Sequence, residues 1–363
     1  MANQRLWRAV GLLLCPLLLA ACSSGAPKPA EPEAKPPAAA PKPKDNESKY
    51  APLYAKLWSI SDQGPAIPGL NEDVVPQGLA YWPEQNWLLI SGYVDNGTAS
   101  TLTMVDAGTG SVVKRVFLNK EDGKPYTGHA GGVAVSAKHA WISSEERAYW
   151  IPLAALTAAG ADAKVQFGGS FLTGTRASFN SYADGILWVG EFYALPDYPV
   201  DPSHTLRNNE PSQYYAWVEG YVLDKATDQP SSGGGEGAVA PDYILSIPDQ
   251  VQGMTLTSEH VILSQSYGRA KDSYLKKYTK PNLAGEPHQR VDVGGKSVPV
   301  WFLDRKNLSK EEGALKVPPM SEGIVTDGVN RLFILFESGA LKYRSGGSAP
   351  MERMRVIRLS DWK

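Results

Sequence analysis

The residues Pro76-Gln77-Gly78-Leu79-Ala80-Tyr81 open a pattern that continues, after a turn, with Trp87-Leu88-Leu89-Ile90-Ser91. A polar residue and a glycine precede a short apolar strand, and a second apolar strand ends in Ser, Glu or Gln. Five copies of this unit occur in the chain, with marker glycines at positions 78, 132, 185, 253 and 323. Intervals of roughly 55 to 70 residues between these glycines suit the four-stranded blades of a β-propeller.

A glycine at this point of each unit has a physical reason. The innermost strands of successive blades converge at the propeller axis, where a side chain would obstruct the neighbouring backbone. We therefore predict an all-β fold, a single β-propeller of five blades. Six blades stay open as an alternative, because residues 193–217 and 284–317 are long enough to contain degenerate strands.

The outer strands of the blades can also be predicted from the sequence. Residues 101–105 and 112–118 predict the third and fourth strands of the first unit, and residues 221–224 and Tyr243–Ile247 those of the third. Residues 153–159 are the one helix-like segment. Lys56-Leu57-Trp58-Ser59-Ile60 resembles the strand at 243–247, and the chain ends after a third strand at 354–359. We therefore expect the N-terminal strand to complete the last blade and close the ring, which removes open sheet edges.

The N-terminus predicts export and lipidation. Arg5 and Arg8 precede an apolar run over 10–20 that ends in Leu19-Ala20-Ala21-Cys22. This motif resembles the processing site of bacterial lipoproteins, which implies a signal peptide over 1–21 and acyl chains on Cys22 that anchor the protein to the membrane. Residues 22–48 form a tether in which Pro, Ala, Lys and Glu predominate, and the propeller is predicted over 49–363. Ser23 in place of Asp predicts an outer-membrane lipoprotein in a Gram-negative host, facing the periplasm or the surface.

Composition narrows the possible partners. Cys15 lies within the signal peptide, so the mature chain keeps only Cys22 and has no internal disulfide. A formal net charge of −2 gives no basic surface of the kind that nucleic acids require. Residues 231–237 are rich in Gly and Ser but lack the Lys-Ser/Thr ending of a phosphate loop. No zinc pattern, nucleophile elbow or dinucleotide fingerprint occurs.

Residues just before the inner strands should surround one mouth of the central channel. They are Gln77, His129, Asn180, Asp184, Gln252, Ser321 and Glu322. Carboxylate and amide oxygens are the donors that calcium prefers, so we consider Asp184, Glu322 and Asn180 as metal ligands, with Gln77 and Gln252 as ligand-binding residues. The alternative is that these polar side chains only hydrate a water-filled axis.

Two residues are candidates for catalysis. His129 lies among glycines in Thr127-Gly128-His129-Ala130-Gly131-Gly132, which leaves its ring accessible as a base or ligand. Glu191 follows a second strand, as do Glu145, Gln265 and Glu337. The alternatives are a histidine bonded to a neighbouring backbone and acids that end strands in solvent. The aromatic-rich stretch 192–217 either stacks on a sugar or peptide or packs in the core.

The first two units, from Pro76 to Ser91 and from Tyr126 to Ser136, resemble a group of uncharacterised secreted bacterial propeller proteins, which implies no activity. More distantly, the repeated unit is similar to the gluconolactonase and strictosidine-synthase superfamily. That resemblance implies a calcium site built from channel carboxylates and an Asn, here Glu322, Asp184 and Asn180. Two functions stay open: a propeller that binds a protein or saccharide partner, or a calcium-dependent hydrolase or lactonase acting at the channel.

Overall fold

The computed structural model describes residues 47–363 except 95, 209, 211–212, 232–236 and 310–312. The predicted signal peptide, Cys22 and the tether up to residue 46 lie outside the described residues. Within the described ranges, no helix is both long and apolar enough to cross a membrane.

The described chain starts with short elements that lead into the ring. They are a 3-10 turn at Ser48–Tyr50, helix α1 (Ala55–Ile60) and strand β1 (Ser61–Ala66). The prediction of an outer strand at 56–60 is therefore wrong. Leu57 and Ile60 lie one helical turn apart and both are buried in the core, which favours a helix there. The outer strand follows immediately, as β1.

The first blade contains four antiparallel strands, as predicted. They are β2 (Val74–Trp82), β3 (Trp87–Val94), β4 (Thr101–Asp106) and β5 (Val112–Asn119), with a 3-10 turn at Pro83–Gln85. Asn86 adopts a left-handed conformation after that turn, with φ of 53°, a conformation that Asn tolerates better than most residues. Strand β2 is buried along almost its whole length because it is the innermost strand.

The second blade donates a strand to the first. Its elements are β6 (Gly132–Val135), β7 (His139–Ser144), β8 (Arg147–Pro152), α2 (Leu153–Ala158), β9 (Ala163–Gln166) and β10 (Gly169–Leu172). Strand β10 completes this blade, whereas β9 pairs in parallel with β5 of the first blade. The helix predicted at 153–159 is confirmed as α2.

The third blade contains the long aromatic-rich segment. Its elements are β11 (Phe179–Ala183), β12 (Ile186–Gly190), a 3-10 turn (Pro202–His204), β13 (Leu206–Arg207), β14 (Gln213–Tyr214), β15 (Ala216–Val222) and β16 (Tyr243–Ile247). Strands β13 and β14 form a separate two-stranded hairpin. The third strand of the blade begins at Ala216 rather than at residue 221, and β16 is confirmed.

The fourth blade also donates strands to its predecessor. Its elements are β17 (Val251–Leu256), β18 (His260–Gln265), β19 (Ser273–Thr279), β20 (Gln289–Val293), β21 (Lys296–Phe302) and β22 (Ala314–Val317). The hairpin β20–β21 joins the third blade, where β21 pairs in parallel with β16. Residues 284–317 thus extend the third blade and supply the fourth strand of the fourth blade, so the sheets form five blades and not six.

The fifth blade closes the ring with the N-terminal strand, as predicted. It contains β23 (Ser321–Thr326), β24 (Arg331–Phe336), α3 (Leu341–Arg344), β25 (Arg353–Arg358) and a final 3-10 turn (Leu359–Asp361). Strand β1 pairs antiparallel with β25, with Ser61 opposite Ile357. Nη2 of Arg355 donates to the carbonyl oxygen of Ser61 at 2.9 Å. Apolar clusters fill the spaces between neighbouring blades, and the fully buried rings of Trp141 and Trp188 lie among them.

Candidate functional site

The five inner strands meet in a constriction on the axis, and at three of its glycines there is no room for a side chain. A Cβ added to Gly78, Gly132 or Gly323 would lie 2.4, 2.3 or 2.4 Å from a backbone nitrogen of the adjacent inner strand. Real Cβ atoms essentially never approach that closely. The crowding that we predicted for the marker glycines is therefore confirmed at these positions, and the constriction separates the channel into two mouths.

The serine at the end of the second strand also has a structural reason. Oγ of Ser91 accepts from the N–H of Gly78 at 3.0 Å and donates to the carbonyl of Gly131 at 2.9 Å. Oγ of Ser143 likewise accepts from the N–H of Gly132 at 2.9 Å. These hydroxyls bind the backbone of the axial glycines, so the repeated pairing of Gly with Ser is part of the scaffold.

The third blade departs from the predicted repeat. Gly185 has φ of +79° and lies in the turn between β11 and β12, with open space around it. Asn180 instead occupies the axial position, since its backbone nitrogen would lie 2.3 Å and its Oδ1 2.6 Å from a Cβ on Gly132. The prediction that Gly185 lies at the axis is therefore wrong. Asp184, which precedes it, lies at the opposite end of β11 from the predicted position.

One mouth of the channel opens into a cavity of about 590 Å³, here called the mouth pocket. Polar and charged residues that line it are Gln77, His129, Ser144, Glu145, Glu146, Arg176, Ser178, Gln252, Ser266, Arg269, Glu322 and Glu337. Aromatic residues that line it are Tyr93, Phe192, Tyr198, Tyr267 and Tyr343. Four of the seven residues that we expected at this mouth, Gln77, His129, Gln252 and Glu322, therefore meet there.

Strained backbone is concentrated around this mouth. Ala177, Gln250 and Met320 each precede an inner strand and have φ of 51°, 63° and 61°. Glu145 and Glu146, in the two-residue turn after β7, have φ of 52° and 64°, where such turns usually use Asn-Gly. Left-handed conformations of this kind cost free energy and often mark functional sites.

A chain of hydrogen bonds crosses the floor of the mouth pocket. Nε2 of Gln77 donates to Oε2 of Glu337 at 2.8 Å and to the carbonyl of Pro76 at 2.9 Å. Oε1 of Gln77 lies 2.7 Å from Nε2 of His129. Both partners of the Gln77 amide nitrogen are acceptors, which fixes the orientation of the amide.

At the inner end of this chain, Glu322 and Glu337 form a pair of hydrogen-bonded carboxyl groups, here called the acid pair. Burial, together with the nearby charge of Glu337, raises the pKa of Glu322 well above its ordinary value. Burial raises the pKa of Glu337 to about 7, against the opposing hydrogen bonds from Gln77 and Glu322. Because two adjacent carboxylates in a buried site cannot both ionise readily, the acid pair retains a proton at neutral pH.

At the outer end, His129 is held as a neutral ring. Its ring lies 4.2 Å from that of Tyr93, centroid to centroid, and is tilted by 30°. Burial and the nearby ammonium group of Lys342 lower the pKa of His129 to about 4. The carbonyl oxygen of His129 accepts a hydrogen bond from Ser144, which fixes the backbone as well. The alternative of a histidine bonded to a neighbouring backbone through its ring is not what the structure shows.

The other candidate residues are placed away from the pocket floor. Asp184 is exposed in the β11–β12 turn and forms an ion pair with Lys280. Ser321 is fully buried, and its Oγ lies 2.9 Å from Oγ of Ser264. Nδ2 of Asn180 donates to the carbonyl of Trp141 at 3.1 Å, while its buried Oδ1 has no hydrogen-bond partner among the described residues.

The expected calcium donors do not fit a single site. Asp184 is occupied by Lys280 in an exposed turn, Glu322 retains a proton next to Glu337, and Asn180 lies in the axial constriction. Among the described residues, no three His, Cys, Asp or Glu side chains are grouped closely enough to hold a metal ion. We therefore derive no step through calcium.

Glu191 belongs to a different, fully enclosed cluster. Its Oε1 lies 2.7 Å from Nδ1 of His204 and accepts from the N–H of Trp217 at 3.0 Å. The ring of His204 stacks on Trp217 with 4.0 Å between centroids. These contacts fasten the loop that follows β12 to the third blade, so Glu191 neither lines the mouth pocket nor ends its strand in solvent.

The aromatic-rich segment divides between the two roles that we considered. Phe192 and Tyr198 line the mouth pocket, and Tyr198 is 46% exposed. Trp217 is buried, and Tyr193 stacks on Tyr215 at 4.7 Å. Sequence analysis missed Tyr93, Tyr343 and Arg269 as pocket residues, because they belong to a strand end, a short helix and a loop outside the repeated unit.

Comparisons with known proteins identify no family for this chain. No family model matches the sequence, and no curated protein matches it in sequence. An aldose sugar dehydrogenase from Streptomyces coelicolor, in its PQQ-bound form, aligns with 82% of this chain and 96% of its own at 13% identity, with a TM-score of 0.44. Glutaminyl cyclase from Myxococcus xanthus aligns with 82% of this chain and 94% of its own at 12% identity, with a TM-score of 0.42.

A gluconolactonase from Xanthomonas campestris aligns with 82% of this chain and 95% of its own at 12% identity, with a TM-score of 0.33. The distant resemblance to gluconolactonase-like propellers is thus one of fold. At this level of identity, no activity, substrate or cofactor carries over from these proteins to this chain.

Proposed function

We propose that the protein is a lipoprotein of the cell envelope whose propeller captures a small polar ligand in the mouth pocket. The observation that carries this proposal is the convergence of Gln77, His129, Gln252 and Glu322 on one cavity of about 590 Å³. Cavities of this size that combine aromatic walls with a few polar groups are typical small-molecule sites. The strained backbone around the mouth supports the same assignment.

The pocket floor is held rigid before any ligand arrives. Gln77 connects the acid pair to His129 through hydrogen bonds of 2.8 and 2.7 Å, and Tyr93 packs against the imidazole ring. Groups that are already fixed lose little conformational entropy on binding. This rigidity favours a binding module that selects one ligand shape.

Anchoring through acyl chains on Cys22 is the second part of the proposal, and the basis for it is the Leu19-Ala20-Ala21-Cys22 motif. Ser23 supports location at the outer membrane in a Gram-negative host. Mass spectrometry of the N-terminal peptide tests the anchor, with Cys22→Ser as the control. An N-terminal peptide of unmodified mass would contradict it.

Ligand capture is tested by blocking the pocket. Among the described residues, no side chain or backbone group hydrogen-bonds the side chain of Gln252, so Gln252→Trp should fill the cavity without breaking a contact. We expect a metabolite mixture to raise the melting temperature of the wild-type protein and not that of Gln252→Trp. Gln289→Trp, on the outermost strand β20, is the matched control and should behave as the wild type. Equal shifts in all three proteins would overturn the proposal.

The acid pair favours one alternative, a hydrolase that works by acid–base catalysis at the mouth pocket. A carboxyl group with a pKa near 7 can exchange a proton at neutral pH. Only Glu337 reaches the cavity well enough for this role, since Glu322 is 2% exposed. The two carboxyl groups are in hydrogen-bond contact, which is closer than the roughly 5 to 9.5 Å that separates the carboxylates of glycosidases.

The hydrolase alternative is tested by a screen of esters, lactones and phosphoesters in the presence of a chelator. Turnover that is lost in Glu337→Gln and kept in Glu259→Gln, an exposed control, would support it. Binding of a ligand without turnover would contradict the hydrolase alternative and support a binding module.

A further inference from the structure

The hydrogen bonds at the pocket floor determine which nitrogen of His129 carries its proton. The carbonyl of Pro76 has no proton to donate, so it can only accept from Nε2 of Gln77, which also donates to Oε2 of Glu337. Oε1 of Gln77 therefore faces His129, and an amide oxygen can only accept. It follows that Nε2 of His129 is protonated and that Nδ1 of this neutral ring presents a lone pair.

Nδ1 of His129 is an acceptor without a donor in the described part of the chain. None of the described residues forms a hydrogen bond to it, whereas Nε2 is engaged at 2.7 Å. The tilted stack on Tyr93 prevents the ring from turning freely, so the lone pair points in a fixed direction. His129 is exposed at the mouth, so this lone pair is open to a donor group of a ligand, and a ligand that brings a donor gains a hydrogen bond that one without a donor cannot form.

Charged groups around the floor of the mouth pocket help to keep the imidazole of His129 neutral. The cation of Lys342 disfavours a second positive charge on His129, and burial acts in the same direction. Further titratable or charged groups lie on the elements packed around His129. They are the acid pair, in which one carboxyl is kept neutral by its proton, and Arg269, whose guanidinium lies 4.8 Å from the ring of Tyr343. The ring is thus an acceptor over the whole neutral range and a donor only from Nε2.

We infer that the mouth pocket selects a ligand that presents an N–H or O–H group to Nδ1 of His129, and that His129 is its specificity-determining residue. This inference rests on the proposed function, because it names the chemistry of the same pocket. Tyr198 and Tyr267 add ring faces at the rim, with 6.4 Å between their centroids, and such faces favour a ligand with a flat or cyclic part.

The proton position is tested first, on the full folded chain without ligand. Long-range ¹H–¹⁵N correlation of the imidazole, assigned with His129→Phe, should show a protonated Nε2 and an unprotonated Nδ1 throughout the neutral range. A protonated Nδ1, or titration near pH 6.5, would overturn the inference. Neither result depends on whether any ligand binds, so the proposed function is not at stake in this measurement.

Ligand selection is tested with three probes that share one ring: benzamide, methyl benzoate and benzoate. Benzamide should move the Nδ1 resonance and bind about tenfold more tightly than methyl benzoate, which lacks a donor. Equal affinity for these two would overturn the inference while leaving the pocket a binding site. If none of the three perturbs any pocket resonance, the inference and the proposed function both fail for ligands of this size.

Two variants separate recognition from structure. His129→Phe keeps an aromatic ring against Tyr93 and removes the acceptor, so benzamide and methyl benzoate should bind equally. His260→Phe, outside the mouth pocket, should keep the tenfold preference. Persistence of the preference in His129→Phe would assign the selection to another residue and overturn the inference.

Discussion

Glu322 and Glu337 lie against each other at the floor of the mouth pocket and retain a proton at neutral pH. Glu322 immediately precedes the axial glycine of β23, and Glu337 immediately follows β24. The register of this hairpin shifts between Ser321 and Ile324. Because of this bulge, two side chains at the same end of adjacent strands come into contact although 15 residues separate them in sequence.

The acid pair should make stability fall as the pH rises. A carboxyl whose pKa is raised on folding binds its proton more tightly in the folded chain, so its stabilising contribution is present below the ordinary pKa of 4.5 and lost as pH rises through the folded value. For Glu337, with a folded pKa of about 7, this loss falls between about pH 5 and 8 and amounts to roughly 3 kcal/mol, and the raised pKa of Glu322 acts in the same direction.

Glu322→Gln tests this relationship because it keeps the hydrogen bond to Glu337 and removes one titrating group. We expect the variant to match the wild type at pH 5 and to be more stable at pH 8, measured by urea unfolding. Glu259→Gln is the exposed control. A wild-type pH profile in Glu322→Gln would contradict the shared proton.

The axial glycines should tolerate no side chain. Gly78→Ala places a Cβ 2.4 Å from the backbone nitrogen of Val133, so the inner strands must separate, and the free energy of unfolding should fall by about 3 kcal/mol. Gly160→Ala meets open space and should change it by less than about 1 kcal/mol. Chemical denaturation of both variants checks the difference, and similar values would argue against crowding at the axis.

Asp228 should stabilise the contact between the second and third blades. One carboxylate oxygen accepts from Oγ of Ser136 at 2.5 Å and from the N–H of Lys138 at 2.9 Å, and it lies 3.0 Å from Nδ1 of His139. Burial alone would raise the pKa of Asp228, but these hydrogen bonds hold it below the ordinary value.

Asp228→Ala leaves several buried donors without an acceptor, so the free energy of unfolding should fall by about 3 kcal/mol. The exposed Asp73→Ala should have little effect. Since the folded pKa of Asp228 is lowered, the stability that it contributes is present above the ordinary pKa of 3.8 and is lost as pH falls below it. Equal stability of the two variants at pH 7 would rule out this role of Asp228.

Glu47, two residues before the predicted boundary at 49, should stabilise the last blade. Its Oε1 accepts from the N–H groups of Glu352 and Arg353, each at 2.9 Å, and the side chain is buried. Glu47→Ala should lower the free energy of unfolding by about 2 kcal/mol. Thermal melts of this variant and of Glu259→Ala check the difference, and indistinguishable melts would contradict this role of Glu47.

Calcium should leave the melting temperature unchanged. A cation at about 100 times its dissociation constant would add roughly 2.7 kcal/mol to the stability, but the expected donors lie apart. Melts in excess calcium and in chelator should therefore coincide for the wild type and for Asp184→Ala. A rise of several degrees in calcium that Glu322→Ala abolishes would restore the predicted metal site.

The sequence predicted the propeller fold more completely than it predicted which residues line the mouth pocket. The repeated Gly-apolar-Ser unit reflects backbone contacts within and between blades, and these contacts impose the same residues in successive copies. Gly185 misled the assignment because a turn glycine and an axial glycine look alike in sequence, although only the former needs a positive φ. Asn180 at the axis follows no pattern of the other blades.

The candidate site depends on contacts that no local pattern encodes. Gln77 and His129 were identifiable because they precede inner strands. The role of Glu337 follows from the bulge that turns it toward Glu322, and Tyr93 and Tyr343 approach each other, with 3.0 Å between their hydroxyl oxygens, from positions 250 residues apart. Such pairs are set by the closed ring as a whole.

The pairing of β1 with β25 limits when the propeller can close during synthesis of the chain. Ser61 and Arg355, which bond across this seam, are 294 residues apart in the chain. Strand β1 is synthesised early, and its hydrogen-bonding edge therefore stays unpaired until β25 has been synthesised. In the meantime an unpaired edge invites association with other chains. A chain that is cut short before β25 should therefore aggregate rather than fold into a smaller ring.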